Sequence, residues 1–213
     1  MVTTCLKPFI HSTIVLTMVV LLTPTTIAFG PHAGPQASGA MSPSAQFMST
    51  ILEDYVATLI FERGVSDYVT MHRLLEGPLP TLEVSTDMRV VQRAMDALAR
   101  QIQTARKDAR QGDIFTDAVS RMFRRRIATC LAPEDLEAIL AEQQEGGAIA
   151  FPRPQVNAVW PTAVPYDFVP PQLLAALPPL PPELRYRILG RALVLWDHHA
   201  NLIVDFLPGA LTT

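Results

Sequence analysis

The chain has 213 residues, 49% of them hydrophobic and 17% charged, with a net charge of −3. That mild acidic balance argues against nucleic acid or an anionic membrane surface as an electrostatic partner. Only two cysteines occur, Cys5 and Cys130, so no disulfide framework is expected and stability must come from packing.

The first thirty residues differ from the rest. Lys7 is their only charge, Phe9 to Leu22 is an apolar run, and small residues stand at Ala28 and Gly30. A basic start, a short apolar core and a small-x-small site form a signal peptide over residues 1–30, with cleavage expected after Gly30 and Ala28 or Ala40 as rival sites. The alternative is an uncleaved membrane anchor, although Pro24 interrupts the stretch before it reaches the about 20 residues a bilayer needs. A periplasmic or secreted location follows, with attachment to a membrane only if the leader is retained. Cleavage removes Lys7 and Cys5 and leaves Cys130 as a lone thiol. It is expected to be a small buried apolar residue; the sharper alternative, a reactive nucleophile, has no His or Asp partner suggested nearby.

Residues 31–45 are rich in Pro, Gly, Ser and Ala and read as a flexible spacer. One α+β domain is expected over 46–213, with helices across 46–147. Phe47, Ile51, Tyr55 and Leu59 recur every four residues, with Met48, Leu52, Val56 and Ile60 beside them. That predicts an amphipathic helix with a broad apolar stripe. Gly64 is expected to interrupt it, with Ser66 capping a continuation through Leu75.

Ser85 or Thr86 is expected to cap the next helix. Its residues Met88, Val91, Met95, Leu98, Ile102 and Ala105 alternate by three and four. This short heptad seam over 88–105 predicts packing along a neighbouring helix, with self-association as the alternative. A helix capped by Thr116 follows, with Val119, Met122, Phe123, Ile127 and Leu131 inward. Another starts at Pro133, where a missing N–H does no harm, with Glu134 and Asp135 suiting its dipole.

Ten prolines between Pro152 and Pro182 forbid regular helix or central strand over most of 151–182, apart from one helical turn at 172–177. Its many apolar residues predict an extended strap across the domain; the alternative is a polyproline ligand for an aromatic groove. The period then becomes two. Leu184–Leu189, Ala192–Trp196 and Leu202–Leu207 read as a three-stranded antiparallel meander over 184–207, with Gly190-Arg191 as a type II′ turn. Such a sheet needs a cover, which the helices supply.

Two groups are candidates for chemistry. Asp197, His198 and His199 combine imidazole and carboxylate, a donor set for a divalent ion. Adjacent histidines on extended chain point to opposite faces, so the competing expectation is a plain hairpin loop in which Asp197 and Asn201 bond the turn backbone. Arg121, Arg124 and Arg125 share a helix face able to grip a phosphate or an acidic partner. The competing expectation is a solvated face balanced by Asp117, Glu134 and Asp135. No GxSxG elbow, phosphate loop or CxxC motif is present, and no cofactor is expected.

GDIFTDAVSRMFRRRIA (Gly112 to Ala128) and LPPLPPELRYRILGRALVLWDHHANLIVDFLPGAL (Leu177 to Leu211) resemble a set of exported bacterial proteins without an assigned activity. The resemblance covers about a quarter of the chain and implies export and a bacterial source, nothing about mechanism. The leading expectation is therefore an exported, non-catalytic binding or interaction module, with an envelope protein as one candidate partner. The alternatives are a metal-dependent enzyme using the Asp197–Asn201 loop and a structural protein self-associating through 88–105.

Overall fold

A computed structural model of the chain describes residues 42–79, 87–145, 153–161 and 169–212. The fold is α+β, as the change of period predicts. Among the described residues five helices, α1 (Pro43–Glu76), α2 (Met88–Ala105), α3 (Asp117–Cys130), α4 (Pro133–Glu145) and α5 (Pro171–Ala176), precede three strands, β1 (Leu184–Leu189), β2 (Ala192–Asp197) and β3 (Leu202–Leu207). The predicted leader and spacer through residue 41 lie outside the described residues. No helix among the described residues is long and apolar enough to cross a membrane.

Helix α1 departs most from expectation. It begins inside the predicted spacer, where the Ser42 side chain accepts from the Ala45 N–H and Pro43 occupies the first turn. It then runs 34 residues without a break at Gly64. A helical glycine costs about 1 kcal/mol relative to alanine. Burial of Phe61 and Val65 on either side of it offsets that cost, and Ile114 packs over the Gly64 backbone. The remaining caps follow local rules. Asp87, not Ser85 or Thr86, accepts from the Arg89 N–H at the start of α2, and Thr116 caps α3. At α4, Asp135 accepts from the Ala132 N–H. The 88–105 seam is buried only in its middle: Met88 and Ala105 are exposed, whereas Leu98 and Ile102 are buried in the core.

The sheet is a meander in the order β1-β2-β3, antiparallel throughout. Gly190 takes φ +57° at the first central position of its turn and Arg191 does not share it, the arrangement of type II′. One sheet face, with Leu184, Tyr186, Ile188, Leu193, Leu195 and Val204, packs against Phe61, Phe115, Phe123 and Ile127 of the helical layer. The other, with Val194, Trp196 and Ile203, is covered by Trp160.

Trp160 belongs to the strap. Asn157 N donates to Ile203 O (2.8 Å), Ile203 N to Ala158 O (2.8 Å) and Trp160 N to Asn201 O (3.0 Å), which lays the strap along the free edge of β3. Further on, Val169, Leu173 and Leu177 are buried. The strap thus contributes core rather than merely crossing the surface. Nor is Pro178–Pro182 a free polyproline ligand: the carbonyls of Pro178 and Pro182 accept from Tyr186 Oη and His198 Nε2.

A register shift between Leu195 and Trp196 places Asp205 opposite Leu195 and Ile203 opposite Trp196, so Val204 is the extra, bulged residue. Beyond the bulge Asp205 is fully buried. Its Oδ1 accepts from the N–H groups of Gly112 (3.0 Å) and Phe206 (2.8 Å), and its Oδ2 from those of Ile114 and Phe115 (both 2.8 Å). One carboxylate therefore satisfies the loop that enters α3, including Gly112, whose φ of +95° only glycine adopts freely.

Candidate functional sites

Three residues of α1 fall every four positions on the side that meets the sheet: Tyr68, His72 and Glu76. His72 is fully buried, and so is Asp197 at the end of β2. The Tyr68 hydroxyl donates to Asp197 Oδ2 at 2.7 Å, and His72 Nδ1 donates to the same oxygen at 2.6 Å. The other oxygen, Oδ1, accepts from the N–H groups of His199 and Ala200, each at 2.9 Å. Asp197 thus turns the β2–β3 loop with one oxygen and holds α1 with the other.

Burial alone would depress the His72 basicity, but the hydrogen bond and charge of Asp197, then Glu76, hold it above its ordinary value. Burial likewise pushes the Asp197 carboxyl up, and the bonds from His72, Tyr68 and Ala200 overcome it and hold it below the usual range. Tyr68 is held protonated, first by burial and then by the Asp197 charge. The Arg106 guanidinium lies 5.0 Å from the Tyr68 ring centroid and donates to Val204 O and Asn157 Oδ1.

The far side of His72 faces Glu76. His72 Nε2 is 3.2 Å from Glu76 Oε2, and His199 Nδ1 is 3.0 Å from Glu76 Oε1. Ligand atoms of His72, Glu76 and His199 all lie within 4.8 Å of one another. The predicted set of Asp197, His198 and His199 is not brought together in this way. Asp197 is consumed by Tyr68, His72 and the loop backbone, and His198 points to Pro182 O at 2.7 Å. Only His199 belongs to both sets. The Asx-type turn expected of Asp197 is present, whereas Asn201, at φ +53°, accepts from the Trp196 indole instead of the turn backbone. His72 and Glu76 were legible only as an i, i+4 pair of titratable residues on the core side of a helix.

The arginine run is tied to the fold. Arg125 pairs with Asp54 of α1, not with Asp117, Glu134 or Asp135. Arg124 donates to Pro208 O (2.9 Å), and Arg126 to Thr58 Oγ1 (3.0 Å) and Ala176 O. Arg121 is exposed. The predicted binding face of Arg121, Arg124 and Arg125 thus has two of its three members engaged within the chain. Cys130 is half-buried, and burial raises its thiol, away from the reactive thiolate form.

The second notable surface is the N-terminal half of α1. No residue from Ser42 to Val56 is buried. Phe47 (67%), Met48 (63%), Ile51, Leu52 (63%), Tyr55 (61%), Val56, Leu59 and Ile60 are all exposed. The core side of the same helix is Ala57, Phe61, Val65, Tyr68, Val69 and His72. At about 100° per residue, the centres of these two sets lie about 140° apart around the helix axis. The predicted apolar stripe is therefore real, but it does not face the core.

No protein-family model matches the chain, and no curated protein or solved structure proved similar to it.

Proposed function

We propose that this is an exported interaction module, without catalysis of its own, that self-associates through the apolar ridge of α1. The carrying observation is the ridge itself, eight large apolar side chains turned to solvent at one end of one helix. Monomeric proteins rarely expose so continuous an apolar surface without a partner. At roughly 100 Å² of open surface per residue, about half of what a large side chain offers, the eight present about 800 Å², the contribution of one partner to a standard interface.

The chemistry of the ridge favours a second copy of this chain. A two-fold interface presents the same patch to itself, so an uncharged apolar patch is self-complementary without opposite charges to pair. Between Pro43 and Ile60 the only charged residues are Glu53 and Asp54; Asp54 is paired with Arg125, and Glu53 lies at the margin of the ridge. Residues 31–42 are mostly small or polar, with Met41 their only large apolar side chain, so they have little with which to cover it. The rows 47/51/55/59 and 48/52/56/60 are i±4 ridges, which interdigitate at a crossing angle of about 50°.

Light scattering on the mature protein tests this. The wild type is expected to have twice its chain mass, and Leu52→Glu with Tyr55→Glu the single-chain mass with an intact far-UV spectrum. A wild type that stays monomeric at high concentration, or a dimer that survives the double substitution, would overturn the proposal.

Export is supported by the Lys7 start, the Phe9–Leu22 core and the Ala28-x-Gly30 site. N-terminal sequencing of protein recovered from the envelope or medium is expected to begin between Phe29 and Met41. Recovery of Met1 or Val2 would instead favour a retained anchor.

A further inference from the structure

We infer that His72, Glu76 and His199 form a binding site for a borderline divalent cation of the Zn²⁺ class, seated between the last turn of α1 and the β2–β3 loop. His72 anchors the set. Its Nδ1 donates to Asp197 at 2.6 Å, which leaves Nε2 as the nitrogen aimed at Glu76. Nε2 stands 3.2 Å from a Glu76 carboxylate oxygen, so a nitrogen and an oxygen that can both bind a cation lie side by side. His199 Nδ1 stands 3.0 Å from the other oxygen of the same carboxylate, so Glu76 brings the two imidazoles to one place.

The distances suit such an ion. Zn²⁺ holds nitrogen at about 2.0–2.1 Å and carboxylate oxygen at about 2.0–2.2 Å. Ligands at those radii around a tetrahedral centre stand about 3.3 Å apart. The observed separations of 3.2 and 3.0 Å run to different oxygens of Glu76, and one ligand atom from each residue lies within 4.8 Å of the others, so rotation of the partly exposed Glu76 and His199 side chains closes the set on one ion. Two imidazoles and one carboxylate suit Zn²⁺ better than Ca²⁺ or Mg²⁺, which prefer all-oxygen shells.

The surroundings support the ligands. Asp197 positions both histidines, His72 through its ring and His199 through its backbone N–H. A carboxylate bonded to the non-ligating nitrogen of a histidine is the usual outer support of a metal-bound imidazole, fixing its tautomer and raising its basicity. Glu76 is also the last residue of α1, where the helix dipole disfavours negative charge; a cation there offsets both the dipole and the carboxylate. Glu76 and His199 keep 31% and 29% of their side-chain surface open, so an ion reaches the site from solvent and a water completes its shell. The neighbouring His198 takes no part, because Pro182 O holds its Nε2.

Calorimetric titration of the untagged, metal-stripped mature protein with ZnCl₂ tests the site, alongside melting curves with and without Zn²⁺. One Zn²⁺ per chain is expected, with a higher melting temperature in its presence, because an ion bound only by the native state stabilises by mass action. His199→Ala and Glu76→Gln change half-exposed positions, leave the buried His72–Asp197 pair in place, and are expected to weaken Zn²⁺ binding at least tenfold while folding normally. His198→Ala is expected to bind as the wild type does. Absence of saturable binding in the wild type, or binding that survives His199→Ala but is lost in His198→Ala, would overturn the assignment.

Discussion

Asp205→Ala is expected to cost about 3–5 kcal/mol, the range for stripping a buried charged group from its partners. The carboxylate has no exposed surface and accepts four backbone N–H groups, two on each oxygen. Removing it leaves the amides of Ile114 and Phe115 buried without an acceptor and releases the loop that carries Phe115, a ring packed on Phe61 and Phe123 at 5.8 and 5.1 Å. In a domain of this size the loss corresponds to roughly 10 °C in melting temperature. Asp205→Asn keeps acceptor capacity on one atom only and is expected to fall between the two. Thermal melting of the three proteins checks the order; an alanine variant within about 1 kcal/mol of wild type would show that water replaces the carboxylate.

Asp197→Ala is expected to be nearly as damaging, again about 3–5 kcal/mol. A turn-forming aspartate in a solvated hairpin would cost only about 1 kcal/mol, the value of a typical hydrogen bond. Here its Oδ2 joins two side chains of α1, the Tyr68 hydroxyl and the fully buried His72 ring. Truncation leaves both donors unmet at the junction of helix and sheet. A discriminating comparison is Asp197→Ala in wild type and in a His72→Leu background. The second substitution removes the uncompensated imidazole, so the cost of losing Asp197 is expected to fall by about 1 kcal/mol or more. Strict additivity of the two changes would mean that the His72–Asp197 bond carries no coupling energy.

Local rules explain what was legible in the sequence. Thr116 before Asp117 and Pro133 before Glu134-Asp135 mark the starts of α3 and α4, because capping chemistry is settled within four residues. The alternation through Leu184, Tyr186 and Ile188, with Gly190 at the turn, fixes the meander for the same reason. Gly64 misled because its intrinsic helix penalty is small beside the burial of Phe61 and Val65, which depends on residues from α3 and the sheet. The pairing of His72 with Asp197 spans 125 positions, and no spacing rule reaches that far. Arg125 found Asp54, not an acidic residue on its own helix, for the same cause. Periodicity also located the ridge from Phe47 to Ile60 while leaving its direction open: a repeat of four says that a helix has an apolar side, not what covers it.

The central claim, that this ridge meets its own copy, is tested most directly by position-specific disulfide capture. In a Cys130→Ala background, Leu52→Cys places a thiol near the middle of the ridge and Glu53→Cys places one about 100° away around the helix. Mild oxidation is expected to convert the Leu52→Cys protein to a covalent dimer rapidly and in high yield, and the Glu53→Cys protein slowly or not at all. Equal capture at both positions, or none at Leu52→Cys, would contradict an interface built on that face.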